Sequence, residues 1–205
     1  MKDFLENTII PKVSDNNDKE KIKVLISEVK QPRELKSLVS KKYYVIYRCI
    51  RTFASIVLTP KEIRNISSDE KYNIVIYDKC SYLAIENELK AYYYSAILNY
   101  LIYKVIEIGG AFERSQFARP LIAILKANLE WKNENWQINI ANLSKKLHEI
   151  APTYLENTVR KGMQVKECFK ILQQIDEFKE IVRIIDNKVD KNKLLEAIKQ
   201  VAHIK

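Results

Sequence analysis

The hydrophobic pattern of the chain changes at Glu86, and this change limits the possible folds more than any other feature. Before it, β-branched and aromatic residues fill short runs at 43–50, 52–58, 71–78 and 81–86, which are typical of strands. After it, apolar residues recur three and four positions apart, as they do on helices. The sequence therefore predicts an α+β protein with a small, mostly antiparallel sheet in its N-terminal half and a helical C-terminal half.

The first half contains further signals. Alternating apolar residues predict a strand within 21–30, and Pro32 opens a short predicted helix. The gap Lys79-Cys80 predicts a tight hairpin between two strands. We therefore expect three regions: a loosely ordered N-terminus at 1–20, a recognition domain of sheet and helix at 21–130, and a helical region at 131–205.

The second half is predicted to be helical. Asn87 is a suitable N-cap for a helix that ends before Gly109-Gly110. Further helices are predicted over 121–128, from Asn142 to Ala151-Pro152, from about Thr153 to Ile185, and over 190–204. Apolar positions of the long predicted helix step by three and four residues, which predicts a seam for a partner helix. The closing segment 190–204 could also fold back on that seam. The seam residues include Val165, Leu172, Ile175 and Val182.

Positive charge is concentrated between residues 30 and 64. The chain has a formal net charge of +9, and this segment holds nine basic and two acidic residues, a local net of +7. Such a concentration suits a polyanionic partner, and arginine suits bidentate contacts to phosphate or guanine. The interleaved tyrosines would either stack on bases or fill the core of a solvated sheet. The predicted nucleic-acid contacts here are Lys41, Lys42, Arg48, Arg51, Lys61 and Arg64.

The segment 110–120 between two predicted helices is a second candidate for nucleic-acid binding, because loops held by rigid elements often carry recognition. Its predicted contacts are Arg114, Gln116 and Arg119. The alternative is a plain connector, in which Phe112 and Phe117 pack between the helices and the arginines pair with Glu113 and Glu130.

The composition argues against several classes of function. The chain has only three glycines, so it lacks the glycine-rich loops that hold nucleotides or a methyl donor, and we expect no cofactor. Cys49, Cys80 and Cys168 are far apart and odd in number, which favours a reducing compartment over a disulfide framework or zinc site. We find no signal peptide and no apolar run of the roughly 20 residues that a bilayer requires. The sequence thus predicts a cytoplasmic protein without a membrane segment.

No catalytic or metal-binding motif is visible. His148 and His203 are interpreted as surface or helix-cap residues. Asp78, Glu86 and Glu88 could in principle bind a metal ion in a nuclease, but their spacing differs from that of common nucleases, and turn or helix-start acids are the favoured interpretation.

Three stretches resemble a known family: YYVIYRCIRTFASIVL at 43–58, NIVIYDKCSYLAIE at 73–86 and ENELKAYYYSAILNY at 86–100. They look like the target-recognition portion of DNA adenine methyltransferases and of their fused restriction-modification enzymes. Leu98-Asn99 matches the helix motif of that family, whereas Tyr100 stands where the family usually has serine. The match covers roughly residues 40–125.

The resemblance implies a domain that reads bases in duplex DNA, with neighbouring helices acting as spacers or docking surfaces. The chain lacks the Pro-Pro motif that holds a flipped adenine and the methyl-donor loop of such enzymes. It would then be the recognition part alone, a stand-alone or truncated specificity part of a restriction-modification system whose methyltransferase or nuclease is a partner.

We therefore expect a non-catalytic module that binds duplex DNA. One alternative is an interaction protein with no nucleic-acid role, which docks a partner through its helical seam. The other alternative is a metal-dependent nuclease that uses Asp78, Glu86 or Glu88.

Overall fold

The computed structural model describes residues 41–48, 55–66, 80–108, 122–125, 128–159 and 165–202. All of them belong to the compact unit Ser37–Lys205. The strands predicted at 21–30 and 71–78 and the short helix predicted after Pro32 lie outside the described residues.

Three antiparallel strands form the described sheet, and the strand nearest the N-terminus lies in its centre. They are β1 (Tyr43–Arg48), β2 (Ser55–Leu58) on one side of it and β3 (Cys80–Ile85) on the other. A short helix, α1 (Pro60–Ile66), follows β2. Within the described residues the predicted strands at 43–50, 52–58 and 81–86 are confirmed, although Cys80, which was predicted to be a turn residue, already belongs to β3.

A long apolar helix, α2 (Glu88–Glu107), packs against the inner face of the sheet and forms the centre of the fold. It begins as predicted, because the side chain of Asn87 accepts a hydrogen bond of 2.8 Å from the backbone N–H of Lys90. Every residue from 91 to 102 is buried. A helix that is buried on all sides must be covered by several elements. The sheet covers one side, and the C-terminal helices cover the others.

Over 135–159 and 165–202, the described part of the C-terminal region contains four helices. They are α3 (Asn135–Val159), α4 (Val165–Leu172), α5 (Asp176–Lys188) and α6 (Lys191–Ala202). The longest of them, α3, lies against both α2 and α5, and α6 packs against α2. Among the described residues, no helix is both long and apolar enough to cross a membrane.

The predicted helix boundaries in this region are wrong. The helix predicted from Asn142 to Pro152 begins instead at Asn135 and continues through Pro152, which is exposed. The long helix predicted from Thr153 to Ile185 is interrupted by a turn before Ile175, which has an extended backbone and caps α5. The sequence pattern did not indicate this break. Ile175 is buried in the core, so the apolar spacing of three and four residues continues across the turn.

The predicted seam for a partner helix is also wrong at Leu172, Ile175 and Val182, because these residues pack inside this chain. Leu172 is 8% exposed and Ile175 is 3% exposed, and both belong to the main core cluster. Val182 is partly buried against the same cluster, and Val165 begins α4. The pattern of three and four is typical of any helix with one buried face, so it could not distinguish an internal contact from an external one.

Candidate nucleic-acid interface

Four of the predicted basic contacts lie at one end of the sheet. Lys41 and Lys42 directly precede β1, whose second residue pairs with the last residue of β2. Lys61 and Arg64 lie on α1, which begins two residues after β2 ends. Lys41, Lys61 and Arg64 are exposed. The Nζ atom of Lys42 is 3.4 Å from a carboxylate oxygen of Glu86, which follows the adjacent end of β3. We call Lys41, Lys42, Lys61 and Arg64 the basic end of the sheet.

The other predicted contacts are not brought to this end by the described structure. Arg48 is the last residue of β1, and it pairs in register with Cys80. At about 3.3 Å per residue, its backbone lies roughly 17 Å along the strand from Tyr43. The remaining predicted contacts, Arg51, Arg114, Gln116 and Arg119, lie outside the described residues.

Helix α1 is held in place by a capping box and by one buried side chain. Thr59 is its N-cap: the backbone N–H of Thr59 donates to Glu62 Oε2 at 2.8 Å, and the N–H of Glu62 donates to Thr59 Oγ1 at 3.2 Å. Ile63 is 2% exposed and packs with Tyr44 on the outer face of the sheet. This anchoring leaves the two cations of α1 on the surface while Glu62 is engaged by the helix cap.

Most of the described tyrosines between the predicted basic contacts serve the core. Tyr44 and Tyr47 are buried, and Tyr44 meets Tyr82 edge to face with ring centroids 5.5 Å apart. The exposed apolar residue of this outer face is Ile56, at 50%. Of the two alternatives for the tyrosines between the basic residues, stacking on bases or filling the core, Tyr44 and Tyr47 follow the second. Phe53 lies outside the described residues.

The outer edge of β2 is closed by side chains of α2. The amide of Asn99 binds both backbone groups of Ser55: its Oδ1 accepts from the N–H at 2.8 Å, and its Nδ2 donates to the carbonyl at 3.0 Å. Ser95 Oγ donates to the same carbonyl at 3.1 Å. The side chains therefore replace a neighbouring strand. The sequence signal was present, because Ser95 and Asn99 are polar residues four apart in the otherwise apolar stretch 91–103 of α2 and so share one face.

His148 of α3 also binds the outer edge of β2. Its prediction as a surface or cap residue is therefore wrong. Its Nε2 accepts the backbone N–H of Val57 at 3.0 Å, and its Nδ1 lies 2.8 Å from the carbonyl oxygen of Ser144. Its ring meets that of Tyr92 edge to face, with centroids 5.2 Å apart. Burial lowers the pKa of His148, against weaker opposing effects from the Ser144 carbonyl and Glu62. Burial likewise raises the pKa of Tyr92 to about 12.

A second buried polar network holds the segment before α3. Gln137 is 1% exposed, and its side chain accepts from the backbone N–H of Lys132 at 2.7 Å and donates to the carbonyl of Glu130 at 2.8 Å. It also donates to the hydroxyl of Tyr93, which in turn donates to the carbonyl of Leu129. The network fixes the turn in which the chain enters the long helix.

A cavity of about 330 Å³ lies between α2, α5 and α6. Apolar side chains such as Leu194 and Ile198 line it, and its polar groups bind one another. The Tyr100 hydroxyl donates to Asp186 Oδ1 at 2.6 Å, and Lys104 Nζ donates to Asp186 Oδ2 at 3.3 Å. Burial, reinforced by this carboxylate, raises the pKa of Tyr100, so the phenol stays a donor. The cavity thus offers an apolar wall beside an internally neutralised ion pair.

Two of the three carboxylates of the nuclease alternative are each engaged by a lysine. Glu86 faces Lys42, and Glu88 accepts a hydrogen bond of 2.9 Å from Lys145. Asp78 lies outside the described residues. Within the part of the chain that the structure describes, no group of three or more histidine, cysteine, aspartate and glutamate side chains is placed to hold a metal ion.

Comparison of the chain with protein-family models, with curated proteins and with solved structures gives no match.

Proposed function

We propose that the protein is a non-catalytic module that binds duplex DNA through the basic end of its sheet. The observation that carries this proposal is the anchoring of α1. Its capping box and the buried Ile63 present Lys61 and Arg64 on a fixed surface beside the lysines that precede β1. Cations on an anchored helix can face successive phosphates without a large loss of conformational entropy on binding.

The local charge supports a polyanionic partner. Two carboxylates of this end, Glu62 and Glu86, bind the helix cap and Lys42, and the four cations of the basic end outnumber them. The net charge of these residues is therefore positive, and such a charge attracts phosphates over roughly one Debye length, about 8–10 Å in ordinary buffers.

The resemblance to target-recognition regions suggests a biological role for this DNA binding. In this role the chain is the specificity part of a restriction-modification system, and a separate methyltransferase or nuclease carries out the chemistry. The interaction-protein alternative depends on the predicted seam, of which Leu172 and Ile175 are buried in the core of this chain. The nuclease alternative would require Glu86 and Glu88 to leave their lysine partners.

A salt titration of DNA binding tests the proposal. Binding of a fluorescent 30-base-pair duplex would be followed by anisotropy from 50 to 300 mM KCl for the parent and for Lys61→Ala/Arg64→Ala. Each phosphate contact contributes about 0.9 to the slope of log K against log salt. We therefore expect the variant to bind more weakly and to lose about 2 from the magnitude of the slope.

The matched control is Lys179→Ala/Arg183→Ala, which removes the same charge from exposed positions on α5. We expect it to keep the parent slope. A parent affinity that does not fall as salt rises, or equal slopes for the two double variants, would refute DNA binding at the basic end.

A further inference from the structure

The two hydrogen bonds of His148 determine where its proton lies. A backbone N–H can only donate, so Nε2, which faces Val57, must carry a lone pair. A carbonyl oxygen can only accept, so Nδ1, which faces Ser144, must carry the hydrogen. The ring is therefore a neutral imidazole in the Nδ1–H form, and each of its nitrogens is used.

Protonation is incompatible with this arrangement. A hydrogen on Nε2 would point at the N–H of Val57, so that two donors face each other at a distance of 3.0 Å between the nitrogens. We propose that His148 acts as an acid-released latch. Its hydrogen bond to the backbone of Val57 holds α3 at the edge of β2 at neutral pH and breaks when the ring is protonated. The bond connects residues 91 positions apart, so its loss removes a direct link between α3 and the sheet edge.

The groups around the ring do not compensate for its charge. From α2 the ring meets the ring of Tyr92, a neutral phenol that supplies no countercharge. From α1 the nearest carboxylate is Glu62, which is bound in the capping box with Thr59. On the neighbouring turn of α2, Glu88 is bound by Lys145 of α3 itself. Glu62 favours the imidazolium less strongly than burial opposes it.

The pH range of the latch follows from the direction of the shift. The pKa of His148 is lowered in the folded chain from its ordinary value of 6.5, so unfolded chains bind more protons than folded ones between the two values. The stability that the latch contributes is complete above pH 6.5. It falls as the pH drops below 6.5 and is lost once the pH passes below the folded-state value.

The chain suits a direct test, because it has two histidines and the second can be removed. On a His203→Gln background, the ring of His148 gives a single set of imidazole NMR signals. We expect nitrogen shifts of the Nδ1–H form at pH 8, a titration midpoint below 6.5, and a Val57 amide shift with the same midpoint. An Nε2–H form, a midpoint at or above 6.5, or a Val57 amide that ignores the titration would overturn the proposal.

The variant His148→Gln tests whether a response to acid comes from His148 or from other titrating groups. Glutamine offers an oxygen near the position of Nε2 and does not titrate between pH 8 and 5.5. We expect hydrogen exchange at Val57, corrected for its intrinsic pH dependence, to accelerate at least tenfold from pH 8 to 5.5 in the His203→Gln chain and to stay constant when His148→Gln is added. Equal acceleration in both chains would refute the latch, and if His148→Gln does not fold, the NMR titration alone decides.

Discussion

The pairing of Asn99 with the backbone of Ser55 leads to a quantitative prediction for Asn99→Leu. Leucine has nearly the shape of asparagine, so the change removes both hydrogen bonds and leaves little cavity. Ser55 is 3% exposed, so water cannot replace the lost partner of its N–H. Its carbonyl still accepts from Ser95.

The expected change in the free energy of unfolding combines two losses and one gain. An unpartnered buried N–H costs about 1–3 kcal/mol, and the second bond contributes about 1 kcal/mol. The greater apolarity of a buried leucine offsets about 1 kcal/mol of this sum. We therefore expect Asn99→Leu to lower the free energy of unfolding by about 2 kcal/mol. For a chain of this length that corresponds to a fall in Tm of roughly 4–8 °C.

Urea unfolding followed by circular dichroism measures this change, and Asn142→Leu on α3 is the matched control. Asn142 is exposed and helical, so the control makes the same substitution with the same gain in helix propensity and without the buried bonds. We expect the control to differ from the parent by less than about 0.5 kcal/mol. If Asn99→Leu were as stable as Asn142→Leu, the amide would not be closing the edge of β2.

Three further predictions concern the helices. Gln137→Met should destabilise the chain by about 2–4 kcal/mol in urea unfolding, because a buried amide loses its hydrogen bonds to Tyr93 and to the turn before α3, at about 1 kcal/mol each. Pro152→Ala should raise the free energy of unfolding by about 1–3 kcal/mol in the same assay, since an exposed proline inside α3 removes a helical hydrogen bond; a lower Tm would contradict this. Tyr100→Phe should cost about 1–2 kcal/mol because Asp186 loses a charged hydrogen bond of 2.6 Å while keeping Lys104, and an unchanged urea midpoint would argue against that bond.

Helix boundaries show where local patterns stop being informative. Asn87 was recognisable as a cap because its hydrogen bond reaches only three residues along the chain. The turn before Ile175 was not recognisable, because the apolar spacing continues across it and burial in the common core outweighs any local stop signal. Pro152 is a strong local stop signal, yet the packing of α3 along α2 keeps the helix intact through it.

The sequence by itself determined the α+β class, the strands of the sheet, the start of α2 and the concentration of positive charge in one segment. These features depend on alternation, helical spacing, capping and counting, which act within a few residues. Only the tertiary structure decided that part of the predicted seam is internal and that Asn99 and His148 replace a missing strand at the edge of β2. Those bonds join residues 44 and 91 positions apart, and no local pattern specifies which backbone N–H a polar side chain will meet. Which side chain pairs with which backbone group depends on how α2 and α3 pack relative to the sheet.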